Sequence, residues 1–377
     1  MRLSCLQENL SPALSIVGRA VATRTTLPIT QNVHISTDDS RLKLSATNLE
    51  IAISTWIGAQ IEEEGSITVP ARVFTELVSS FPQEKIDFET SADPLSLSAK
   101  CARYDAQING ADPEDFPPIP QVDSGIVAKI DARVLREAIS KVVIAAATED
   151  SRPVLTGIQV DLSGDKFTFA GADGFRLAVY KGELLDSVTE EMSFIVPARS
   201  LQEVGRLIGS STEQVEFTVT PSKSQALFSI DNVEIVTQLV QGTFPNYDQL
   251  IPSSYDSRVV MDSADFSRAT KTASIFARDG SGIIRVQVET DSGSDVGRVA
   301  VLSRAEEVGE NQGEIDAEVE GTDAKIAFNS KYLLDVLDVL GSGKVALETT
   351  TPSSPGVLKS VGDDNYIHVV MPMFVQW

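Results

Sequence analysis

The sequence predicts an α+β protein of three tandem, similar domains, because its motifs recur at a period of about 126 residues. Residues 46–53 line up without a gap on residues 172–179, and the Val-Pro-Ala-Arg box at Val69–Arg72 returns at Val196–Arg199. A third, more diverged copy carries Phe328–Lys331 in place of that box. Tandem copies of domain size build a pseudo-symmetric array, so we expect the function to lie in the assembled shape.

Each copy divides into two halves, and each half is expected to hold one amphipathic helix followed by short strands. In the helix after Asp131, Leu135 lies on an apolar side and Arg133 on a polar side. The strands at residues 85–89 and 214–219 alternate with period two. The six predicted helices span residues 11–24, 71–82, 131–147, 198–209, 264–278 and 329–340.

The chain has 377 residues, which is too long for one ordinary hydrophobic core. Segments rich in proline, glycine, serine and aspartate near residues 112–124 and 244–254 are typical of linkers. The expected domains are therefore residues 1–122, 123–253 and 254–377.

Positive charge is concentrated in the predicted helices. The net charge is −23, yet the six helices together carry +5, which leaves −28 for all other residues. Basic side chains on any one helix are usually ordinary solvated surface. Because five of the six helices are neutral or positive, we favour helices that face a common polyanion. No series of aromatic residues accompanies them, which favours contact with a duplex backbone. The candidate phosphate-binding residues are Arg24, Arg72, Arg133, Arg136, Arg152, Arg199 and Arg278.

Composition argues against several other classes of protein. Two cysteines, Cys5 and Cys101, cannot form a disulfide framework, which fits a cytoplasmic protein. No apolar run approaches the roughly 20 residues of a membrane helix, so no membrane association is expected. The two histidines, His34 and His368, show no metal-ligand spacing.

No catalytic site, metal site or cofactor site can be assembled from the motifs. Gly341–Lys344 resembles the end of a phosphate-binding loop, but Val345 lacks the required hydroxyl group, so a helix C-cap and turn are expected. Residues 291–297 only loosely resemble a calcium loop, and a solvated hairpin tip is expected there. We therefore expect a protein that is not an enzyme.

Six motifs occur together along the chain. They are Arg24 with Leu27-Pro28-Ile29, the two Val-Pro-Ala-Arg boxes, Gly174–Val179, Phe244–Tyr247 and Val369–Met373. This set resembles the bacterial DNA polymerase III beta subunit, the sliding clamp, over essentially the whole chain. The resemblance implies a DNA clamp fold of three domains, each with two helices packed on antiparallel sheets, in which one chain forms half of a ring.

The resemblance also implies a head-to-tail homodimer that encircles double-stranded DNA without sequence specificity and tethers the replicative polymerase. The edge strand with Tyr104, Ala106 and Ile108 would meet Ile275 and Phe276 of the other subunit. Ala106 stands where a larger apolar side chain is expected.

In the family, the DNA polymerase III alpha subunit, the clamp loader, other polymerases and repair proteins dock short hydrophobic peptide motifs into a cleft between the second and third domains. Phe175 stands where a histidine is common and Gln249 where an arginine is common, and the chain continues as Phe374–Trp377. The matching positions are Leu155, Thr156, Gly174, Phe175, Arg176, Leu177, Pro245, Leu250, Val369, Met371, Pro372 and Met373.

Other interpretations stay open at this point. Residues 369–373 could simply form the last strand of a sheet and pack inward. The whole chain could be an acidic, repeat-built scaffold that binds partners and no DNA. A hydrolase would require a pair of carboxylates that converge in a pocket.

Overall fold

One unit, consisting of a strand, a helix and three further strands, occurs six times along the described chain. The structure is a computed structural model that describes residues 1–122, 124–149, 151–278, 281–290 and 296–376. Each sequence repeat contains two of these units, and a short extra strand separates the two units of the first repeat. The α-helices are α1 (Gln7–Val17), α2 (Ala71–Ser80), α3 (Ala132–Val142), α4 (Ala198–Leu207), α5 (Ser263–Arg278) and α6 (Ser330–Leu340).

Twenty-five strands belong to the described chain. Those of the first repeat are β1 (Arg2–Leu6), β2 (Asn32–Asp38), β3 (Arg41–Thr47), β4 (Ile51–Gly58), β5 (Gln60–Glu63), β6 (Ser66–Pro70), β7 (Lys85–Ala92), β8 (Leu95–Cys101) and β9 (Tyr104–Asn109). Those of the second are β10 (Ile126–Asp131), β11 (Gly157–Ser163), β12 (Lys166–Ala172), β13 (Arg176–Glu183), β14 (Met192–Pro197), β15 (Gln214–Val219), β16 (Gln225–Ile230) and β17 (Val233–Gln238). Those of the third are β18 (Ser257–Asp262), β19 (Ile283–Thr290), β20 (Val296–Ala305), β21 (Gly309–Gly321), β22 (Ala324–Asn329), β23 (Lys344–Thr349), β24 (Gly356–Ser360) and β25 (Tyr366–Val370).

Contacts divide the chain into two compact units. Unit 1 holds Met1–Arg133 and Glu203–Leu239, and unit 2 holds Val134–Gln202 and Val240–Trp377. Each unit joins one outer repeat to half of the middle repeat, because hydrogen-bonded sheets run from one repeat into the next. The expected domain boundaries after residues 122 and 253 remain a prediction.

Unit 1 contains two antiparallel sheets. Five strands follow the order β5-β1-β7-β8-β9, and eight follow the order β10-β15-β16-β17-β4-β3-β2-β6. The second repeat joins the first where β17 pairs with β4, with Ile235 opposite Ile53. Both side chains are fully buried, so the joint is part of the hydrophobic core.

Unit 2 contains one sheet of twelve strands in the order β14-β11-β12-β13-β25-β24-β23-β18-β21-β20-β19-β22. The second and third repeats join where β13 pairs with β25, with Leu177 opposite Val369. Near this joint, Tyr366 donates a hydrogen bond from its hydroxyl to the carbonyl oxygen of Lys141 at 2.9 Å. The ammonium group of Lys141 is itself buried and forms ion pairs with Glu137 at 2.6 Å and Asp363 at 3.0 Å. These contacts hold the C-terminal end of α3 against the segment that precedes β25.

Helix α1 corrects one prediction. It spans Gln7–Val17, so a helix over residues 11–24 was wrong at both ends. Pro12 lies inside the helix rather than in its first turn. The first turn is anchored by Gln7, whose backbone N–H donates to the Glu84 carbonyl at 3.0 Å and whose side chain donates to the Val78 carbonyl at 2.9 Å.

The other five helices begin within one residue of the predicted position. Helix α3 ends earlier than predicted, at Val142, and a short 3-10 turn continues the chain. Each Val-Pro-Ala-Arg box spans the end of one strand and the start of a helix: Pro70 closes β6 and Ala71 opens α2. In the third repeat Asn329 has this position, and its carboxamide oxygen accepts from the Lys331 backbone N–H at 2.9 Å, which caps α6.

Candidate functional site

Five of the seven candidate phosphate-binding residues lie on helices, four of them in the first half of the helix. Arg72 and Arg133 are exposed and are paired with nearby carboxylates, Arg72 with Glu76 at 3.0 Å and Arg133 with Asp131 at 3.7 Å. Exposed pairs of this kind are weak, so both guanidinium groups can exchange their partners for a phosphate. Arg136 on α3 and Arg199 on α4 are likewise exposed.

The remaining three arginines have different positions. Arg278 is the exposed last residue of α5. Arg24 lies in the irregular segment after α1 rather than on the helix. Arg152 is not helical either: its guanidinium donates to the carbonyl oxygen of Asp173 at 3.0 Å, which places it beside the cleft residues described below.

Helix α5 carries two further basic residues that were not among the predicted phosphate-binding residues. Arg268 is exposed and paired with Asp265 on α5 at 3.1 Å, and Lys271 is exposed one turn further on. In unit 1, Glu203 pairs with both Arg19, at 3.2 Å, and Arg206. The helical spacing of apolar residues in this segment could have assigned Arg268 and Lys271 to the exposed face of α5.

The floor of the predicted partner cleft is an apolar cluster within unit 2. Leu177 on β13 faces Val369 on β25, and Val369 in turn faces Val357 on β24. Leu155 and Phe244 pack into the same buried cluster. Val369 therefore does pack inward, yet it does so as the floor of a larger apolar surface.

The rim of the cleft carries exposed apolar side chains above that floor. Phe175 is 52% exposed, Leu250 is 46% exposed and Met371 is 37% exposed. Pro245 is exposed, and Thr156, Pro372 and Met373 are half-buried. A buried apolar floor with an exposed apolar rim is a surface suited to an apolar peptide.

The turn at residues 173–176 shapes one edge of the cleft. The Asp173 carboxylate accepts from the backbone N–H groups of Phe175 at 2.8 Å and Arg176 at 3.0 Å. Gly174 has φ +91°, and a Cβ atom there would lie 2.7 Å from the guanidinium of Arg152. Only glycine fits this position without strain.

Arg176 holds this turn against α6. Its guanidinium pairs with Asp173 at 3.1 Å and with Asp335 at 2.7 Å, and it lies 4.5 Å from the centre of the Tyr332 ring. The side chain is only 9% exposed. Arg176 therefore positions the cleft edge rather than presenting its charge to a ligand.

The segment after β25, Met371–Gln376, is tied down at three points. The Met371 N–H donates to the Phe175 carbonyl and the Met373 N–H donates to the Ala327 carbonyl, both at 2.8 Å. The Arg285 guanidinium donates to the Gln376 carbonyl at 3.0 Å. The segment thus leads from the cleft edge onto β22 and β19, with Phe374 93% exposed.

Sequence reasoning missed Asp173, Phe244, Tyr332 and Asp335 as parts of the cleft. Phe244 stood in a quoted motif and Asp173 lay beside another, so both could have been found. Tyr332 and Asp335 gave no signal, because Asp335 meets Arg176 across 159 positions of the chain.

The expected dimer residues belong to different units. Tyr104 is exposed and Ala106 is half-buried on β9, the edge strand of the five-stranded sheet, whereas Ile108 is already buried within unit 1. On α5 in unit 2, Ile275 is exposed and Phe276 is half-buried.

The histidines and cysteines are buried or half-buried structural residues. Burial, assisted by the charge of Arg176, lowers the pKa of His368 to about 3, and burial together with the charge of Lys43 lowers the pKa of His34. Burial, with the charge of Asp87, raises the pKa of Cys5 to about 12, and Cys101 is also buried and unbridged. Among the described residues, no group of three or more His, Cys, Asp or Glu residues could hold a metal ion.

Two minor predictions concern loops. Gly341 ends α6 with φ +70° and its N–H donates to the Leu337 carbonyl at 3.2 Å, which confirms the helix C-cap. The predicted hairpin tip at residues 291–297 falls mostly outside the described residues, which resume at Val296. None of the described helices is long and apolar enough to cross a membrane.

The repeated fold, the basic helices and the apolar cleft together define a clamp subunit of a replicative DNA polymerase. Models of the DNA polymerase III beta subunit match the N-terminal domain at residues 1–120, the central domain at residues 129–246 and the C-terminal domain at residues 248–374. The chain belongs to this family, the bacterial beta sliding clamps, and acts in DNA replication as the processivity subunit of a DNA polymerase III holoenzyme.

Individual relatives agree over nearly the whole chain. The Beta sliding clamp of Staphylococcus aureus is 29% identical over 364 residues, which cover 94% of each chain, and that of Synechococcus elongatus is 29% identical over 377 residues, which cover 99% of each. The crystal structure of the Bacillus subtilis sliding clamp matches with a TM-score of 0.94 at 25% identity, with 100% of both chains covered. The Pseudomonas aeruginosa clamp bound to griselimycin matches with a TM-score of 0.91 at 26% identity, also over 100% of both chains.

Proposed function

We propose that two copies of this chain close head to tail into a ring that encircles double-stranded DNA without reading its sequence. The ring tethers the replicative polymerase and supplies no catalytic site of its own. Its domains are residues 1–122, 123–253 and 254–377. Its place is the cytoplasm, where the chromosome is replicated. The observation that carries this proposal is the exposure of arginines on helices in a chain of net charge −23.

The distribution of charge supports a ring that encloses duplex DNA. Arg72, Arg133, Arg136, Arg199 and Arg278 lie on helices, and Arg24 follows one. Each can contact a phosphate weakly, while the acidic residues outside the helices repel DNA. A closed ring stays on DNA by topology, so weak contacts allow sliding without release.

Ring closure is supported by unpaired strand edges and exposed apolar residues. One side of β9 is unpaired in its sheet, and β21 pairs with β18 only through Glu318–Gly321. An exposed edge is a ready site for another chain, and a head-to-tail contact that closes after one rotation leaves no edge open. We place Tyr104 and Ala106 of one copy against Ile275 and Phe276 of the other, with Ile108 supporting β9 from beneath.

The apolar cleft supports docking of partner peptides. Its floor and rim are built from the positions that match the family, and methionine side chains such as Met371 and Met373 adapt to different apolar ligands. We assign to this cleft the DNA polymerase III alpha subunit, the clamp loader, other polymerases and repair proteins, each through a short hydrophobic motif.

A topological assay tests the ring. The protein is loaded by a clamp loader onto nicked circular DNA, separated from free protein, and the DNA is then cut once. A ring stays with the circle and leaves the linear molecule, whereas an acidic scaffold that binds no DNA is never retained. Light scattering should give a mass of two chains. Retention on linear DNA with free ends, or a monomeric mass at assay concentration, would contradict the proposal.

A further inference from the structure

A cavity of about 490 Å³ lies where the Met371–Gln376 segment crosses the sheet of unit 2. Its lining includes Val375 from that segment and Ile283 and Arg285 from β19. Leu302 and Arg304 of β20 and Glu310 of β21 line it as well. We call this cavity the tail pocket. It combines three apolar side chains with two guanidinium groups, in a chain whose net charge is −23.

Strand register brings the two arginines together. Arg285 is directly opposite Leu302, and Arg304 is two residues further along β20, on the same face. Diagonal neighbours of this kind have Cα atoms roughly 7–8 Å apart, so two long side chains can converge on one anion. Because like charges at this spacing repel each other, an anion between them is favoured. Glu310, directly opposite Arg304, offsets part of this charge.

The tail pocket continues the cleft. Met371 lies on the cleft rim and Val375 lines the pocket, so at most about 14 Å of extended chain separates them. The Met371 and Met373 backbone hydrogen bonds hold the segment between the two sites. A peptide that fills the cleft and runs along this segment reaches the pocket within about four residues.

We propose that the tail pocket is a second binding site for the peptides that dock in the cleft, and that it takes the carboxylate of an acidic residue a few positions from the apolar motif. This inference rests on the proposed peptide cleft. A nucleic acid is a poorer occupant, because the exposed face of β21 continues with Glu314, Asp316 and Glu318 and would repel a run of phosphates.

The test uses fluorescent peptides with a common Leu-Leu-Phe segment, joined by two to four Gly and Ser residues to either Glu-Glu or Gln-Gln. Binding to the full chain is measured by fluorescence polarisation at low salt. We expect the Glu peptide of the best spacing to bind about three- to tenfold more tightly than its Gln partner, and the preference to shrink as salt is added.

Three variants report on the pocket itself. Arg304→Glu should abolish the preference while the Gln peptide binds as before, which shows that the cleft is intact. Glu310→Gln should increase the preference, because it removes the opposing charge. Arg298→Glu is the matched control: it makes the same charge change on the same face of β20, about 20 Å away, and should leave the preference unchanged.

The outcomes separate the two proposals. If neither peptide binds, the peptide cleft is contradicted. If both bind equally, or if Arg298→Glu abolishes the preference as Arg304→Glu does, the tail pocket alone is overturned. Displacement of the Glu peptide by a single-stranded oligonucleotide whose binding also requires Arg304 would reassign the pocket to nucleic acid.

Discussion

Arg176 and Asp335 form an ion pair at 2.7 Å that joins β13 of the second repeat to α6 of the third. The same guanidinium group pairs with Asp173 and stacks on Tyr332, whose ring lies 6.5 Å from that of Phe175. One largely buried cation therefore fixes both the turn that forms the cleft edge and the helix beneath it. The exposed Phe175 ring depends on this arrangement for its position.

Replacing Arg176 with alanine should destabilise unit 2 by about 3 kcal/mol, because it leaves Asp173 and Asp335 without their shared partner in a poorly solvated place. Urea unfolding measures this change. Arg268→Ala is the matched control: it removes an exposed pair with Asp265 on α5 and should cost less than about 1 kcal/mol. An equal loss of unfolding free energy in the two variants would show that Arg176 contributes no more to stability than an exposed arginine.

Gly174→Ala should reduce both stability and peptide affinity. The added Cβ meets the Arg152 guanidinium at 2.7 Å, and the positive φ is unfavourable for alanine, so we expect a loss of about 1–2 kcal/mol. Gly164→Ala is the control, since Gly164 has φ +59° but no atom within 4 Å of the new Cβ. Thermal unfolding and peptide binding are measured for both variants. Normal peptide binding by Gly174→Ala would show that the turn is not part of the peptide-binding cleft.

Stability should fall as the pH is lowered from about 6.5 towards 3, in part because of His368. Its folded pKa is about 3, below the ordinary histidine value, so in this range the unfolded chain binds a proton that the folded chain does not. One such group changes stability by at most about 1.4 kcal/mol per pH unit.

The measurement compares urea unfolding at pH 7 and pH 5 for the natural chain and for His368→Gln. The variant should lose part of the pH dependence. His34→Gln is a useful comparison, because the His34 pKa is lowered in the same direction at a less buried position. Identical pH dependence in the natural chain and His368→Gln would show that His368 is accessible to protons when folded.

Arg24→Ala combined with Arg199→Ala should weaken DNA binding and flatten its dependence on salt. Two lost phosphate contacts reduce the slope of log K against log salt by about 1.8. Arg2→Ala combined with Arg298→Ala removes the same charge from strands and should leave the slope nearly unchanged. An unchanged slope in the helix variant would count against a phosphate role.

Deletion of residues 371–377 should lower peptide affinity by about tenfold or more, because it removes Met371, Pro372 and Met373 from the rim. The dimer should survive, since Tyr104 and Ile275 lie elsewhere in the chain. Deletion of residues 375–377 alone keeps the rim and should retain binding of a purely apolar peptide. Normal peptide binding by the longer deletion would place the cleft elsewhere.

Local patterns in the sequence determined most of the architecture. The repeat period revealed three copies, and the helical period located five of six helices, because apolar spacing records which face of an element is buried. Helix α1 was misplaced, because its first turn is fixed by contacts from Gln7 to residues 71 or more positions away, which no local pattern records.

The sequence by itself determined the repeats, the concentration of positive charge on helices and the apolar motifs of the cleft. Only the tertiary structure decided that Arg176 is held by Asp335 and Tyr332, that Arg152 lies beside Gly174, and that Arg285 and Arg304 line one cavity. The physical reason is that periodicity reports whether a side chain is buried. Its partner is chosen by strand register and helix packing between residues far apart in the chain.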